Sequence, residues 1–265
     1  IVAIVHYNQR RLPDERAKLY ERCVEVLLAE SYKPESDAIF DLVDRGGDED
    51  EKRNLLAWLA FCLMAAGEAS GRSVDESQLR AWLRPHLARR VPQEQVEHRL
   101  DDFVAAMRER GSLLDERDGV YRFIHLTFQE FLCAYYLVES VREVEKIVDI
   151  LCQAGRVAES WWRETILLAV GYLGLRSPEQ SLALVQALVQ RAADQPFALA
   201  AVEVATAAFL EQNGADPASR GLLTERLVAH LTDPADGNAP VLRAAAGRGL
   251  SRLGDPRKGV GVVRA

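Results

Sequence analysis

Apolar positions recur along most of this chain at the three-and-four spacing of an amphipathic helix, and the breaks between stripes mark out its elements. Ile1 to Tyr7 is apolar and reads as the end of a helix that starts upstream of the sequence. Leu12-Pro13 opens the next helix, with proline at a tolerated first-turn position; Leu19, Tyr20, Cys23, Val24, Leu27 and Leu28 form its buried stripe. Tyr32 to Asp50 carries Lys33-Pro34, Gly46-Gly47 and an acidic run, so it reads as loop with a short helix near Ile39. Three helices follow. Glu51 to Ala66 is the most apolar, and a second runs from the capping box Ser73-Val74-Asp75-Glu76 to about Ala88. The third runs from near Pro92 to Arg110, with Val96, Leu100, Phe103, Val104 and Met107 turned inward.

The period then changes. Gly111 ends the third helix, and Ser112 to Asp115 and Val120 to Ile124 read as short strands around the turn Glu116-Arg117-Asp118-Gly119. Three helices and a two-stranded hairpin make a winged-helix arrangement. A further helix begins at a second capping box, Thr127-Phe128-Gln129-Glu130, with Phe128, Phe131, Leu132, Tyr135 and Val138 on one face. Beyond Glu139 come helical segments near 142–153, 158–175, 178–193, 197–213, 218–232 and 239–253, split by short polar or proline-bearing breaks. Paired helices of this kind are HEAT-like, although no strict sequence repeat is visible. The expected fold class is therefore mainly α: a winged-helix domain with a short β-hairpin, followed by an α-helical HEAT-like repeat array.

Composition narrows the function more than the fold. The chain has 265 residues and a formal net charge of -7, which argues against broad affinity for nucleic acid or anionic membranes. No apolar run is long enough to span a bilayer. The cysteines Cys23, Cys62, Cys133 and Cys152 lie far apart among apolar neighbours and read as buried, reduced thiols in a cytoplasmic protein. No CxxC or HxxxH spacing supports a metal site, and no GxxxxGK[ST] loop, GxSxG elbow or HExxH motif is present. His6, His86, His98, His125 and His230 are scattered, with no Ser or Cys partner at motif spacing, so no catalytic residue is assigned. DNA binding is disfavoured: the helix before the hairpin carries Glu94, Glu97, Asp101, Asp102 and Glu109 against Arg99, Arg108 and Arg110. Arg80, Arg84, Arg89 and Arg90 flank Trp82, which reads as a solvated basic face with the indole turned in. The pair Trp161-Trp162 reads as one core residue with a partly covered neighbour, or else as an interaction patch.

The run Tyr121-Arg122-Phe123-Ile124-His125-Leu126-Thr127-Phe128-Gln129-Glu130-Phe131-Leu132-Cys133-Ala134-Tyr135-Tyr136-Leu137 resembles the winged-helix signature of NACHT ATPases of the STAND class, which include NOD-like receptors and bacterial relatives. Leu12-Pro13-Asp14-Glu15-Arg16-Ala17-Lys18-Leu19-Tyr20-Glu21 is similar to the helix that joins the helical subdomain of that ATPase core to its winged helix. The resemblance implies three parts: 1–50 as the end of the helical subdomain and connecting helix, 51–140 as the winged helix, 141–265 as the repeats. It implies that His125 contacts the β-phosphate of ADP and holds the closed state, with ATP or ADP bound by an upstream domain that this sequence lacks. A histidine where a strand meets a helix N-terminus suits an anion, because unpaired backbone N–H groups already point there. From the residues alone, the favoured reading is that His125 caps the helix or fills a niche in the core, and the resemblance reverses that preference.

On this reading the chain is not itself an enzyme. It is the regulatory and sensor segment of a signalling ATPase, in innate immunity or bacterial defence. Its partners are its own upstream nucleotide-binding domain and an unknown protein ligand or effector on the repeats, with oligomerisation on activation. The alternatives are a nucleotide-independent helical scaffold and, less favoured, a winged-helix DNA-binding regulator. Leu253-Gly254-Asp255-Pro256-Arg257-Lys258-Gly259-Val260-Gly261 also looks like the junction that leads, in some bacterial relatives, into a formylglycine-generating-enzyme-like domain.

Overall fold

Helix formers separated by proline and glycine breaks give a chain that is mainly α-helical, with one small sheet. The computed structural model describes residues 15–30, 49–110, 113–234 and 237–258. The segment Ile1 to Tyr7, Leu12-Pro13, the short helix near Ile39, Gly111 and Gly259 to Gly261 lie outside them. The chain divides into two units, 1–136 and 137–265.

The first unit contains α1 (Arg16–Glu30), α2 (Glu49–Ala65), β1 (Val74–Asp75), α3 (Glu76–Leu87), α4 (Val96–Arg110), β2 (Leu114–Arg117), β3 (Val120–Phe123) and α5 (Leu126–Tyr136). The hairpin expected from the sequence is part of a three-stranded antiparallel sheet of order β1-β3-β2. The third strand was hidden because Val74 and Asp75 are too few to show a period, and only pairing with Tyr121 and Val120 makes them a strand. That pairing also moves the helix start. Ser73 is not the cap; Asp75 is, its carboxylate accepting the Gln78 N–H at 2.8 Å. The turn is two residues rather than four: Asp118 and Gly119 have φ of 54° and 79°, which matches the right-handed twist of the strands.

Packing centres on α5, which lies against α2 and also meets α1 and β3. Leu55, Leu56, Leu59 and Leu63 on α2 are buried, as are Phe128, Phe131, Leu132 and Ala134 on α5. The α1 stripe closes this core with Cys23, Val24 and Leu28, while the Tyr20 ring sits 6.5 Å from Phe128 and 6.2 Å from Phe131. All five inward residues assigned to α4 are buried. The most deeply buried polar side chain of this unit is that of Gln129. Gln129 is 1% exposed, and its Nε2 donates to the Gly71 carbonyl at 2.9 Å and lies 3.3 Å from Met64 Sδ. Gly71 has no room for a side chain, because a Cβ there would sit 2.1 Å from the Leu63 carbonyl oxygen.

Beside this core, Trp58 stacks on His86 at 5.1 Å with an interplanar angle of 12° and touches Phe61 and Tyr136. Its indole N–H donates to the Trp82 carbonyl at 2.8 Å, and Trp82 itself is half-buried. His86 is buried, and its Nε2 finds no hydrogen-bond partner among the described residues. Burial, reinforced by Arg90 and Arg89, pushes its pKa down from the usual 6.5 to about 4.

The second unit holds α6 (Val144–Cys152), α7 (Ser160–Arg176), α8 (Pro178–Arg191), α9 (Ala198–Glu211), α10 (Pro217–Thr232) and α11 (Pro240–Leu253), preceded by a π-helical turn over Leu137–Val141. Proline occupies the first turn of α8, α10 and α11, and Ser177 and Asp216 cap α8 and α10. The helices form two rows. In one, α8 contacts α6 and α10; in the other, α9 contacts α7 and α11; α8 and α9 join the rows. Interior α9 is buried nearly all round, from Ala198 to Phe209. The tryptophan pair departs from expectation: Trp161 and Trp162 are both buried, at 6% and 1% exposed, because α7 also packs on more than one side. All four cysteines are free; Cys23 and Cys133 are buried, whereas Cys62 and Cys152 are half-buried. Burial pushes the Cys62 thiol up to about 12, so it is unreactive at neutral pH. Among the described residues no helix is long and apolar enough to cross a membrane.

Two outcomes test this packing. Gly71→Ala should cost more than about 3 kcal/mol in denaturant unfolding, since a backbone oxygen cannot swing aside, and Gln129→Leu about 1–3 kcal/mol, since it leaves the Gly71 carbonyl unpaired. His86 should make stability pH-dependent. The unfolded chain takes up its proton near 6.5 and the folded chain only near 4, so this contribution is complete above pH 6.5 and drains away as pH falls toward 4, by about 3 kcal/mol at most. His86→Phe should flatten the stability profile in that window, and an unchanged profile would show that the imidazole does not titrate as described.

Candidate functional site

The alternation of β3 sets the site. Tyr121 and Phe123 point into the core, while Val120, Arg122 and Ile124 face outward, with Val120 and Ile124 each 41% exposed. The Ile124 N–H donates to the Leu113 carbonyl at 3.0 Å, which holds the end of the strand, and α5 starts at Leu126. His125 is the corner between them, and it is exposed.

The expected capping box at Thr127 is displaced by this corner. Thr127 lies inside the first turn, and the cap is His125 itself. The Thr127 N–H donates to His125 Nδ1 at 3.2 Å, with the Thr127 hydroxyl 2.9 Å from the same nitrogen, and the Phe128 N–H donates to the His125 carbonyl at 3.0 Å. An Nδ1 that accepts a backbone N–H carries no proton, so the ring proton of the neutral imidazole sits on Nε2. The capping reading of His125 is thus present in the structure, and it engages only one of the two ring nitrogens.

His125 lines an open groove of about 600 Å³ with Asp115, Arg117, Arg122 and Ile124. The hairpin register sets Asp115 opposite Arg122, whose Nη2 lies 2.8 Å from the carboxylate, with Arg117 Nε at 3.0 Å. The hydrogen bond from Arg122, supported by Arg117, holds the Asp115 carboxyl below the usual carboxylate range. Two guanidinium groups against one carboxylate leave the groove positive, beside a helix N-terminus and an outward N–H donor. That combination suits an oxyanion. It contains no paired acid and base or activated nucleophile.

The sequence does not single out Arg117 or Arg122, since Arg117 stands between two acids, Glu116 and Asp118, in the turn. Strand alternation would have placed Arg122 outside, but only the hairpin register carries Arg117 to the same groove. The other histidines are not brought here: His86 is buried on Trp58, His98 lies 3.5 Å from Asp102, and His230 is in the last turn of α10. His6 is outside the described residues. Among the described residues no cluster of three or more His, Cys, Asp or Glu could hold a metal. Two arginines of the basic cluster are paired: Arg80 with Glu76 on its own helix and with Asp101 on α4, and Arg84 with Glu97 on α4.

The element order α2-β1-α3-α4-β2-β3 with sheet order β1-β3-β2 is that of a winged helix. Residues 16–137 match the family model described as a winged helix-turn-helix domain C-terminal to NACHT. No curated protein and no solved structure matches the chain. The matched domain is a C-terminal winged helix and not a catalytic core. Over residues 16–137 the chain is thus similar to the winged helix-turn-helix domains that lie C-terminal to NACHT, a match that supports a NACHT-associated C-terminal segment.

Proposed function

We propose that this segment regulates a cytoplasmic NACHT ATPase: its winged helix holds the ADP-bound closed state through His125, and its two-row, HEAT-like helical unit binds a protein ligand or effector. ADP or ATP would be carried by the upstream nucleotide-binding domain, and the active form would be an oligomer. The observation that carries the reading is the divided imidazole. Nδ1 is engaged by the Thr127 N–H, which orients the ring and leaves Nε2–H as the donor for a β-phosphate. Arg117 and Arg122 add a favourable field around it.

A hydrogen bond to a charged phosphate contributes about 1.5–3 kcal/mol. About 2 kcal/mol of preference for the closed state shifts that equilibrium roughly 30-fold, enough to keep a signalling protein off. A nucleotide-independent scaffold is the second reading, favoured by the fact that His125 already serves a structural purpose as the cap. A DNA-binding winged helix is disfavoured by the ion pairs that tie α3 arginines to α4 acids.

Asparagine separates the two roles, because it caps helices well and cannot reproduce the reach of Nε2. In the full-length ATPase, His125→Asn should leave the melting temperature of the domain within a degree or two, accelerate ADP release by about tenfold or more and raise basal signalling. His125→Ala should do the same and also cost about 1 kcal/mol in stability. ADP retention equal to wild type in both variants would leave only the scaffold reading.

A further inference from the structure

The second unit carries a groove of about 670 Å³ across the α7-α9-α11 row, within the size range of ligand-binding clefts. Small residues make the depression, among them Ala200, Ala207, Ala245 and Gly249. Gly249 packs tightly, since a Cβ there would meet Thr206 Cγ2 at 3.1 Å. Along one wall, Arg163 on α7 is fixed to Glu203 on α9 by a two-pronged ion pair, with Arg163 Nη2 donating to Glu203 Oε1 at 3.0 Å. Glu203 is 8% exposed, so this pair is a built part of the wall and its charges cancel.

The remaining charges do not cancel. Arg248 and Arg252 on α11 are exposed and pair with no acidic group among the described residues, while Glu159 is the only other acid of the lining. On the same helix face, Val241 is 81% exposed. An apolar contact and two uncompensated arginines thus share one stripe in a chain whose net charge is -7.

The geometry points to an extended acidic segment of a partner protein as the occupant of this groove. One helical turn separates Arg248 from Arg252, about 6 Å along the axis, close to the roughly 7 Å between alternate residues of an extended chain. The matching ligand carries two acidic residues at alternate positions, whose side chains leave an extended chain on the same side. Carboxylates pair with both prongs of a guanidinium, which gives register as well as attraction. The inference rests on the reading of the helical unit as the partner-binding part, and not on the role of His125.

Fluorescence polarisation on the whole chain tests it with a labelled peptide, Gly-Val-Ser-Gly-Glu-Ser-Glu-Ser-Gly, its counterpart with lysine in place of glutamate, and a single-stranded oligonucleotide of similar length. The acidic peptide should bind, the lysine peptide should not, and the double reversal Arg248→Glu/Arg252→Glu should weaken binding by at least about tenfold. Ala245→Trp, which fills the groove without changing its charge, should weaken it similarly, with circular dichroism and melting confirming that both variants fold. His125→Ala should leave peptide binding unchanged, so that a failure here is read apart from a failure of nucleotide control. The proposal is overturned by equal binding of both peptides, by tighter binding of the oligonucleotide or by no peptide binding at millimolar concentration. It is equally overturned if the double reversal leaves peptide affinity unchanged or abolishes self-association of the chain, the latter giving the groove to a second copy.

Discussion

The first unit depends on the seating of α5 against α2. Its apolar contact is the most extensive between any two elements, but leucine and phenylalanine faces alone would tolerate small slides along the helix axis. The Gln129 amide removes that freedom, because a buried donor bound to the Gly71 carbonyl has one low-energy position. Gly71 can offer that carbonyl only because it has no Cβ to strike Leu63. Gln129 lies one turn after His125, so the bond that locks the core also fixes the corner from which the imidazole projects.

On the proposed reading, His125 would serve as helix cap and as phosphate donor through one side chain. A cap needs an acceptor and a phosphate contact needs a donor, and neutral imidazole has one of each on opposite edges of a rigid ring. Serine, aspartate or asparagine would cap the helix as well or better but would present no donor outward at the same distance. Choosing histidine where a shorter polar residue would do is the chemical reason to look beyond capping. The neighbouring Asp115 tempers the field by binding both Arg117 and Arg122, which leaves the groove attractive to an anion without turning the wing into a general nucleic-acid surface.

Charge in the rest of the molecule is arranged to be unremarkable at the surface and specific at a few places. The arginines of α3 are spent on the acids of α4, and exposed pairs of that kind add little stability. In the second unit the same residue types behave differently: Arg163 is held by nearly buried Glu203, while Arg248 and Arg252 meet no acidic group among the described residues. Stacking leaves one face of each of α7, α9 and α11 on a shared groove, and the small residues of α9 and α11 deepen it.

Local pattern determined the helices, the hairpin, the inward face of α4 and the run through His125 that carries the NACHT resemblance, because each depends on neighbours within about two turns of chain. The limits of α6 to α11 were legible for the same reason, since proline and glycine act where they stand. Contacts distant in sequence decided the rest. Val74 and Asp75 became a strand only by meeting Tyr121 and Val120, which moved the cap from Ser73 to Asp75. Both tryptophans of the Trp161-Trp162 pair were buried because helices cover α7 on more than one side. Arg117 joined His125 through strand register, and Arg163 met Glu203 across 40 residues of chain. Periodicity records which face of an element turns inward; what that face meets is set only when the elements pack.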